Sequence, residues 1–450
     1  MNEDAASGES STSVSTWPNQ ELRVISIFDL IAMLLTLSAL FGWINGRFVH
    51  MPHSIGMLVL GLVASLLLVL LDVAFPGQHL YEALTGPLRQ IDFTDVVMNG
   101  MLAFLLFAGA MTLDLGALRD RAWPVAILAL VGTVISTAVV GGAFWASARW
   151  SGHPVSLAWA LVFGALISPT DPVAVLATLK NAKVPLSLEI EMQGEALFND
   201  GVGIVLFTVL LGFAAGIGGE PSSAGGIARL LLQEAGGGLL LGVVTGYVAY
   251  RAMRTIDDFP VEVLITLALV AGTYALAQKL HASGPLAVVA AGLLVGDRAP
   301  RDAMSERTQG YVSSLWTLVD EVLNSVLFLL IGLEVLVLRF EASSLVLAAA
   351  AVPIVLLARL VAVSAPLLAF HWGGNLSVRN VPFLTWAGVR GGISVALALS
   401  VPESDAKPAI LAATYAVVLF TIIVQGSTLG MVARRTLAAS DDGRSTREEA

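Results

Sequence analysis

Charged side chains inside long apolar stretches are the residues of this sequence whose chemistry most needs an explanation. They are the acids Asp171, Glu195, Asp200 and Glu321 and the bases Arg359 and Arg390. An ionised side chain at the centre of a bilayer costs about 2.5 to 3.5 kcal/mol on insertion scales, so such residues persist mainly by pairing or by taking part in function. Structural ion pairs within a helix bundle are the first alternative for each of them.

The count of these charges favours a functional acid. The first three of these acids stand against two arginines, so pairing leaves one carboxylate without a basic side chain. A desolvated carboxylate of that kind has to be neutralised by a proton or by a bound cation. The sequence therefore predicts a site at which a proton and a cation exchange.

Neighbouring residues indicate where the ligands of a cation would come from. The four-residue step from Glu195 to Asn199 places both on one face of a helix, whereas Asp200 is rotated by about 100°. Ser-Pro-Thr-Asp-Pro at residues 168–172 predicts an interrupted helix, in which the Thr170 hydroxyl and freed carbonyl groups are hard oxygen ligands. We expect a small monovalent cation, bound around Asp200 with Thr170 as a further metal ligand.

A second interrupted helix is predicted by Gly-Val-Arg-Gly-Gly at residues 388–392. Where two interrupted helices cross, Asp171 would offset the positive dipole ends and Arg390 the negative ends. We expect a structural role at the crossing for both residues. Because Asp171 directly follows Thr170, we also count it among the candidate ion-binding residues.

The composition is that of a membrane protein. Of 450 residues, 56 % are hydrophobic and 13 % are charged, whereas soluble domains carry roughly 25 % charge. The apolar residues form blocks of about 18 to 25 residues, the length of a membrane-spanning helix, and they do not alternate as β-barrel strands do. The net charge of −10 without basic runs argues against nucleic acid as a partner, and the absence of cysteine excludes disulfides and thiolate sites. No cofactor is expected.

The blocks predict an all-α membrane protein with about 13 transmembrane helices. The interruptions fall in the fifth and twelfth spans, and six spans, one linker span and six more would form inverted repeats. We expect a disordered tail over residues 1–22, a transmembrane domain over 23–433 and a cytoplasmic tail over 434–450. Lys and Arg concentrate in the loops on the side of the C-terminus, which places the C-terminus in the cytoplasm and the N-terminus outside.

Four short motifs follow one another along the chain, on predicted spans five, six, eleven and twelve. They are Ser168-Pro169-Thr170-Asp171-Pro172, Glu195-Ala196-Leu197-Phe198-Asn199-Asp200-Gly201, Leu356-Leu357-Ala358-Arg359 and Gly388-Val389-Arg390-Gly391. Together they resemble the cation/proton antiporter-1 family, the bacterial NhaP-type sodium/proton antiporters, over nearly the whole chain. The resemblance implies a core domain with two crossed discontinuous helices, a dimerisation domain, a homodimer in the bacterial inner membrane and secondary active transport rather than enzymatic activity.

Carried over residue by residue, the resemblance also implies the roles of the site residues. Asp200 would bind the ion and the proton, with Asn199 as its neutral neighbour and Thr170 as a cation ligand. Glu195 would form an ion pair with Arg359. Relatives with Asn-Asp at this position resemble electroneutral exchangers, so we expect one monovalent cation to be exchanged for one proton.

Two departures from the family pattern concern the cation. Ala108 stands in a stretch where many relatives carry Glu, and Ala196 stands where some have a Ser ligand, which leaves Na⁺, Li⁺ and K⁺ open. Glu321, in the stretch Asp-Glu-Val-Leu-Asn, is expected either to pair with Arg390 or to modulate transport. Glu334, near the end of its span, is a second expected modulator.

Three alternatives remain open at the level of sequence. A potassium/proton antiporter would use the same carboxylate, and a monovalent cation channel could use Asp200 and open carbonyl groups. An intramembrane enzyme would need Ser394 as a nucleophile with His281 or His371 as its base. Ser394 is also explained as a small residue for helix packing, and a GxxxG step at Gly242 indicates close helix contact of the kind found at dimer seams.

Overall fold

A computed structural model describes residues 27–75, 93–153, 155–179, 184–216, 224–335, 344–369 and 380–448. Within these ranges the regular elements are helices, as the all-α prediction requires. The predicted N-terminal tail and His371 lie outside the described residues. The last helix runs on across the predicted start of the C-terminal tail and ends at Glu448.

Among the described residues, the tenth helix is the long helix that carries Asp200, and nine shorter helices precede it. These ten helices are α1 (Ile27–Ile44), α2 (His53–Ala74), α3 (Phe93–Asp95), α4 (Leu102–Thr112), α5 (Leu115–Asp120), α6 (Ala122–Ile127), α7 (Thr133–Trp150), α8 (Leu157–Ile167), α9 (Pro172–Leu179) and α10 (Leu186–Ala215). Short π-helical turns continue α1 over Asn45–Val49, join α3 to α4 over Val96–Met101 and join α6 to α7 over Leu128–Gly132.

Nine further helices follow in the described ranges, and Arg359 lies on one of them while Arg390 lies in a break between two of them. They are α11 (Ala224–Met253), α12 (Phe259–Lys279), α13 (Gly284–Asp302), α14 (Glu306–Glu334), α15 (Leu345–Ala369), α16 (Val381–Trp386), α17 (Gly392–Leu399), α18 (Lys407–Phe420) and α19 (Ser427–Glu448). A π-helical turn over Thr421–Gly426 joins α18 to α19.

Short polar side chains start several of these helices. The Asp114 carboxylate accepts hydrogen bonds from the first backbone N–H groups of α5. The hydroxyls of Ser156, Ser283 and Ser305 do the same for α8, α13 and α14. These side chains satisfy N–H groups that have no partner inside the helix, so each turn between spans is closed without an exposed donor.

Ten helical stretches among the described residues are long and apolar enough to cross a membrane. Four of these stretches contain more than one of the helices above, because π-helical turns or a break divide them. The helical architecture thus confirms the predicted class of membrane fold. The count of thirteen spans and the inverted repeats remain predictions.

The glycine-rich stretch of α11 packs within the chain. A Cβ atom added at Gly238 or at Gly242 would collide with the main-chain carbonyl groups of Ser283 and Ala287 on α13, and one at Gly246 would press against Ala291. Small residues at this spacing let two helix backbones approach closely. The GxxxG step therefore serves a contact between α11 and α13 rather than the dimer seam that the sequence suggested.

Candidate functional site

The first helix break lies between α8 and α9. Helix α8 ends at Ile167 and α9 begins at Pro172, so the main chain of Ser168, Pro169 and Thr170 is not helical. Proline has no N–H group and its ring clashes with a continuing helix, which explains why Pro169 and Pro172 interrupt the span here. The break frees carbonyl groups in the middle of an apolar stretch.

The second break, between Trp386 and Gly392, crosses the first. The Asp171 N–H donates to the Val389 carbonyl oxygen at 2.8 Å, which joins the two non-helical segments directly through their main chains. Gly391 lies so close to the Asp171 carboxylate that an added Cβ atom would overlap it. The predicted interruptions at 168–172 and 388–392 are therefore both present, and they meet.

The two charges at the crossing sit at opposite helix ends. The Asp171 carboxylate accepts a hydrogen bond of 2.8 Å from the Val173 N–H in the first turn of α9. The Arg390 guanidinium is fully buried and its Nη1 donates to the Ser168 and Pro169 carbonyl oxygens at the C-terminal end of α8, the latter at 2.9 Å. Each charge thus has the sign that offsets the dipole of its helix end.

Glu195 and Arg359 form a two-point ion pair. Arg359 Nη2 donates to Glu195 Oε2 at 2.9 Å, and Nη1 donates to the other carboxylate oxygen. Arg359 Nε also donates to the Leu384 carbonyl oxygen at 3.3 Å. Both side chains are buried, so this pair neutralises Glu195 without any contribution from Arg390.

Charge counting on the sequence assigned both arginines to acids, and this is where it fails. Because Arg390 donates to carbonyl groups, two of the three counted carboxylates rather than one lack a basic partner among the described residues, those of Asp171 and Asp200. Asp171 is satisfied in part by the helix N–H group of Val173. Asp200 has no hydrogen-bond or ion-pair partner in the described part of the chain.

Asn199 connects the Asp200 helix to the first break. Its side-chain Nδ2 donates to Thr170 Oγ1 at 2.9 Å, and its Oδ1 accepts from the Thr170 N–H at 3.2 Å. Gly203, one turn along α10, leaves room for the Pro169 ring. The break is thereby held against α10 at the level of Asp200.

A cavity of about 160 Å³ brings the ion-site candidates together. Asp200, which is 8 % exposed, lines it together with Thr170 and Asp171. Asn199 and Glu195 do not line this cavity, since Asn199 is turned to Thr170 and Glu195 to Arg359. Three of the four predicted ion-binding residues thus line one cavity, and Asn199 holds one of them, Thr170, through hydrogen bonds.

The remaining sequence candidates lie in different places. Ala196 lines a small side cavity that also contains the Glu195–Arg359 pair. Ala108 is buried, and its helix α4 contributes uncharged residues to the main cavity wall. Glu334, the last residue of α14, is half-buried and outside the main cavity.

The expected pairing of Glu321 with Arg390 is wrong. Glu321 is exposed on α14, whereas Arg390 is fully buried and donates to carbonyl groups of the first break. The neighbouring acid Asp320 lines the cavity instead, together with Asn324. Successive helix residues point about 100° apart, so choosing the wrong one of two adjacent acids changes the face on which the charge lies.

A further ion pair was not anticipated from the sequence. Arg121, between α5 and α6, donates to Glu191 Oε1 at 2.8 Å, and the Glu191 side chain is buried. Glu191 lies four residues before Glu195, so both carboxylates are on one face of α10. That spacing was the sequence feature from which a second buried acid on this helix face could have been predicted.

Of the residues proposed for an intramembrane enzyme, Ser394 and His281 are not brought together, and His371 lies outside the described residues. Ser394 is buried on α17 and lines the cavity. His281 is exposed in the turn between α12 and α13, and no hydrogen bond within the described ranges joins it to Ser394. A serine without a base in reach is not activated as a nucleophile.

Comparison with known proteins decides the family. The model of the family "Sodium/hydrogen exchanger, transmembrane" matches residues 35–435. The chain belongs to the sodium/hydrogen exchanger family. Among its relatives, the Na(+)/H(+) antiporter NhaP of Pseudomonas aeruginosa is 42 % identical over 417 residues, which cover 92 % of this chain and 97 % of that protein. The Na(+)/H(+) antiporter NhaH of Halobacillus aidingensis is 33 % identical over 91 % of this chain and 97 % of its own.

A solved structure supports the fold of this family member independently. The sodium proton antiporter MjNhaP1 from Methanocaldococcus jannaschii matches with a TM-score of 0.70 at 21 % sequence identity, over 91 % of this chain and 98 % of that one. At this identity the likeness concerns the fold. The two crossed broken helices therefore belong to a fold that is also found in a known transport protein.

Proposed function

We propose that this chain is a sodium/proton antiporter in which Asp200 binds either the sodium ion or the proton. The observation that carries the proposal is the position of Asp200, whose buried side chain lines a cavity and has no partner among the described residues. A desolvated carboxylate without a cation beside it is stabilised by binding a proton or a metal ion. Both substrates then compete for the same atoms.

Oxygen atoms suited to a small cation surround this carboxylate. Thr170 and Asp171 line the same cavity, and the Thr170 hydroxyl keeps a lone pair beyond the hydrogen bond from Asn199. Carboxylate, hydroxyl and carbonyl oxygens are hard ligands. We assign Asp200 and Thr170 as ligands of Na⁺, with Asp171 adjacent and Asn199 holding Thr170 in place.

Exchange follows from competition at one site. With a proton or a sodium ion bound, the Asp200 carboxylate is neutralised and can pass through the apolar interior at lower cost than the bare anion. The Glu195–Arg359 pair and Arg390 remain charged and paired or solvated by carbonyl groups throughout the cycle. One carboxylate that carries one cation or one proton gives electroneutral exchange, one for one.

The cavity reaches the end of the molecule at which α4 and α9 finish and α10 and α14 begin. Thr112, the last residue of α4, and Gln193, two turns before Asp200, both line it. In the predicted orientation this end faces the cytoplasm, so the conformation would be open to the inside. The proposed setting is the bacterial inner membrane, with the chain as a homodimer.

The decisive experiment is Asp200→Asn in proteoliposomes, with sodium-driven proton flux as the readout. We expect the flux to fall to the level of empty liposomes while the protein still purifies as a folded species, because Asn keeps the size of the side chain and loses its charge. Asp405→Asn is the matched control, since Asp405 is exposed and remote from the cavity. Wild-type flux in Asp200→Asn would refute the assignment.

The same preparation separates the rival functions. A series of Li⁺, Na⁺ and K⁺ gradients identifies a potassium/proton antiporter by its proton flux with K⁺. Counterflow of labelled sodium against unlabelled sodium distinguishes a carrier from a channel, because a channel does not couple the two fluxes. An antiporter accumulates label against its gradient, whereas a channel only equilibrates it.

A further inference from the structure

Helix α14 brings a third carboxylate into the cavity that the proposed exchange at Asp200 leaves without a role. Asp320, Asn324 and Leu327 all line the cavity, and they follow one another at four and three residues. Residues at these spacings share one face of a helix. The cavity wall on this side is therefore built from a single stripe of α14 with its acid at the start.

Asp320 is held in a defined orientation. The Asn324 side-chain Nδ2 donates to Asp320 Oδ1 at 3.0 Å and to the Asp320 carbonyl oxygen at 2.9 Å. Asp320 is half-buried and forms no ion pair with any basic side chain in the described ranges. One carboxylate oxygen is thus fixed by an amide, and the other is available to a ligand.

The charge of the cavity wall has one sign. Its ionisable residues are Asp171, Asp200 and Asp320, and the wall formed by α4 is uncharged. Asp320 and Asp171 repel each other when both are ionised, as do Asp171 and Asp200. Like charges gathered in a low-dielectric space without a counter-ion attract a cation, and the unpartnered, nine-tenths buried Asp200 at its inner end points to the same kind of ligand.

The order of these acids along the cavity follows from the helix directions. The cavity reaches outward at the end where α14 begins, because Thr112 at the end of α4 and Gln193 early in α10 belong to its wall. On α14, Asp320 precedes Asn324 by one turn and is therefore nearer that opening. A cation that enters from this side meets Asp320 before it reaches Asp200.

We propose that Asp320 is a cation-recruiting residue, which binds the entering sodium ion in the cavity and raises its concentration beside Asp200. The inference rests on the proposed function, since it names a second carboxylate for the same substrate. Because Asp320 acts before the exchange step, it sets the sodium concentration for half-maximal exchange and leaves the maximal rate close to that of the wild type.

The test compares Asp320→Asn, Asp320→Glu and Glu321→Gln in proteoliposomes, with KM for Na⁺ and the maximal rate measured separately. For Asp320→Asn we expect KM to rise about tenfold with little change in maximal rate, because one negative charge is removed from a weakly screened space. Asp320→Glu restores the charge and should return KM toward the wild-type value. Glu321→Gln removes the same charge from the adjacent residue outside the cavity wall, and its effect should be smaller than about twofold.

Three outcomes would overturn the inference. The first is an unchanged KM in Asp320→Asn, and the second is an equal rise in KM in Glu321→Gln, which would indicate a general effect of surface charge. A fall in maximal rate without a change in KM that Asp320→Glu fails to rescue would indicate a structural role and would also overturn it.

A binding measurement separates this inference from the proposed function. In detergent solution, Na⁺ should raise the thermal unfolding temperature of the wild type, since a ligand that binds only the folded state stabilises it. The Na⁺ midpoint of this shift should move about tenfold upward in Asp320→Asn. If the wild type bound Na⁺ without exchanging it for protons, the proposed function would fail while the shifted midpoint still supported Asp320. If Na⁺ had no effect on the wild type, both would fail.

Discussion

Asn199 and Thr170 exchange two hydrogen bonds, one between their side chains and one from the Thr170 main chain to the Asn199 side chain. These bonds use both the N–H donor and the oxygen acceptor of the buried Asn199 side-chain amide. Asp200, the next residue, is left to face the cavity alone. Asn199 therefore holds the broken helix, whereas the Asp200 carboxylate is left for the ion that we propose it binds.

Asn199→Asp should convert electroneutral exchange into exchange that depends on membrane potential. The substitution places a second ionisable carboxylate beside Asp200, so the site can carry one more proton for each sodium ion. We expect flux at fixed ion gradients to respond to an imposed potential in Asn199→Asp and not in the wild type. The measurement uses proteoliposomes clamped with potassium and valinomycin. A steep response of the wild type would contradict exchange of one ion for one proton.

Breaking the Glu195–Arg359 pair from one side should destabilise the protein more than removing both charges. A buried charge that loses its partner costs about 3 to 5 kcal/mol in the free energy of unfolding. We expect Glu195→Gln and Arg359→Gln each to lower the thermal unfolding temperature in detergent, and the double variant to recover part of the loss.

The exposed pair of Lys407 with Glu403 is the control for this cycle. Glu403 is 91 % exposed and its contact with Lys407 Nζ measures 2.8 Å. Ion pairs at the surface contribute about 0 to 1 kcal/mol, so Glu403→Gln should change the unfolding temperature much less than Glu195→Gln does. Equal effects at the two pairs would mean that the buried pair does not hold the bundle together.

Gly391→Ala should separate the two broken helices. The added methyl group would overlap the Asp171 carboxylate, and relief of such overpacking costs about 1 to 3 kcal/mol. We expect a lower unfolding temperature and a loss of sodium-driven proton flux. Gly142→Ala on α7 is the matched control, because a Cβ atom there meets no other atom within 4 Å. Full activity of Gly391→Ala would show that the crossing tolerates a wider spacing.

Lowering the pH should weaken sodium binding without lowering the maximal rate. A proton on Asp200 excludes the sodium ion. Once protons occupy most sites, each fall of one pH unit should therefore raise KM for Na⁺ by about tenfold. Saturating Na⁺ should restore the rate. The measurement is a set of sodium titrations at several pH values, equal on both sides of the membrane. A maximal rate that fell with acid while KM stayed constant would point to a proton effect away from the ion site.

Much of the fold could be predicted because breaks and charges leave local signals. Prolines at 169 and 172 prevent a helix from continuing and glycines at 391 and 392 weaken one, and the structure interrupts both spans there. An apolar environment makes each charged residue conspicuous. The pairing of Glu195 with Arg359, in contrast, was expected only from the resemblance to the family.

Geometry across helices could not be predicted in the same way. The predicted breaks indicated that Arg390 would offset a negative helix end, but not which carbonyl oxygens would accept from it, because such acceptors exist at every residue and become available only where a helix breaks. Nor does it distinguish Asp320 from Glu321, since the face of α14 that meets the cavity depends on the rotation of a whole helix. Local sequence patterns predict where helices begin and end. The packing of the helices determines which of two adjacent acids faces the cavity.

The bond between the Asp171 N–H and the Val389 carbonyl oxygen belongs entirely to the main chain. Replacing a side chain at either position leaves both of its atoms in place, apart from a proline at 171. Most point mutations at these two positions therefore keep the hydrogen bond that joins the two interrupted spans. Variants that differ in ion preference or transport rate would therefore differ in the side chains around this hydrogen bond. The hydrogen bond itself would be the same in each of them.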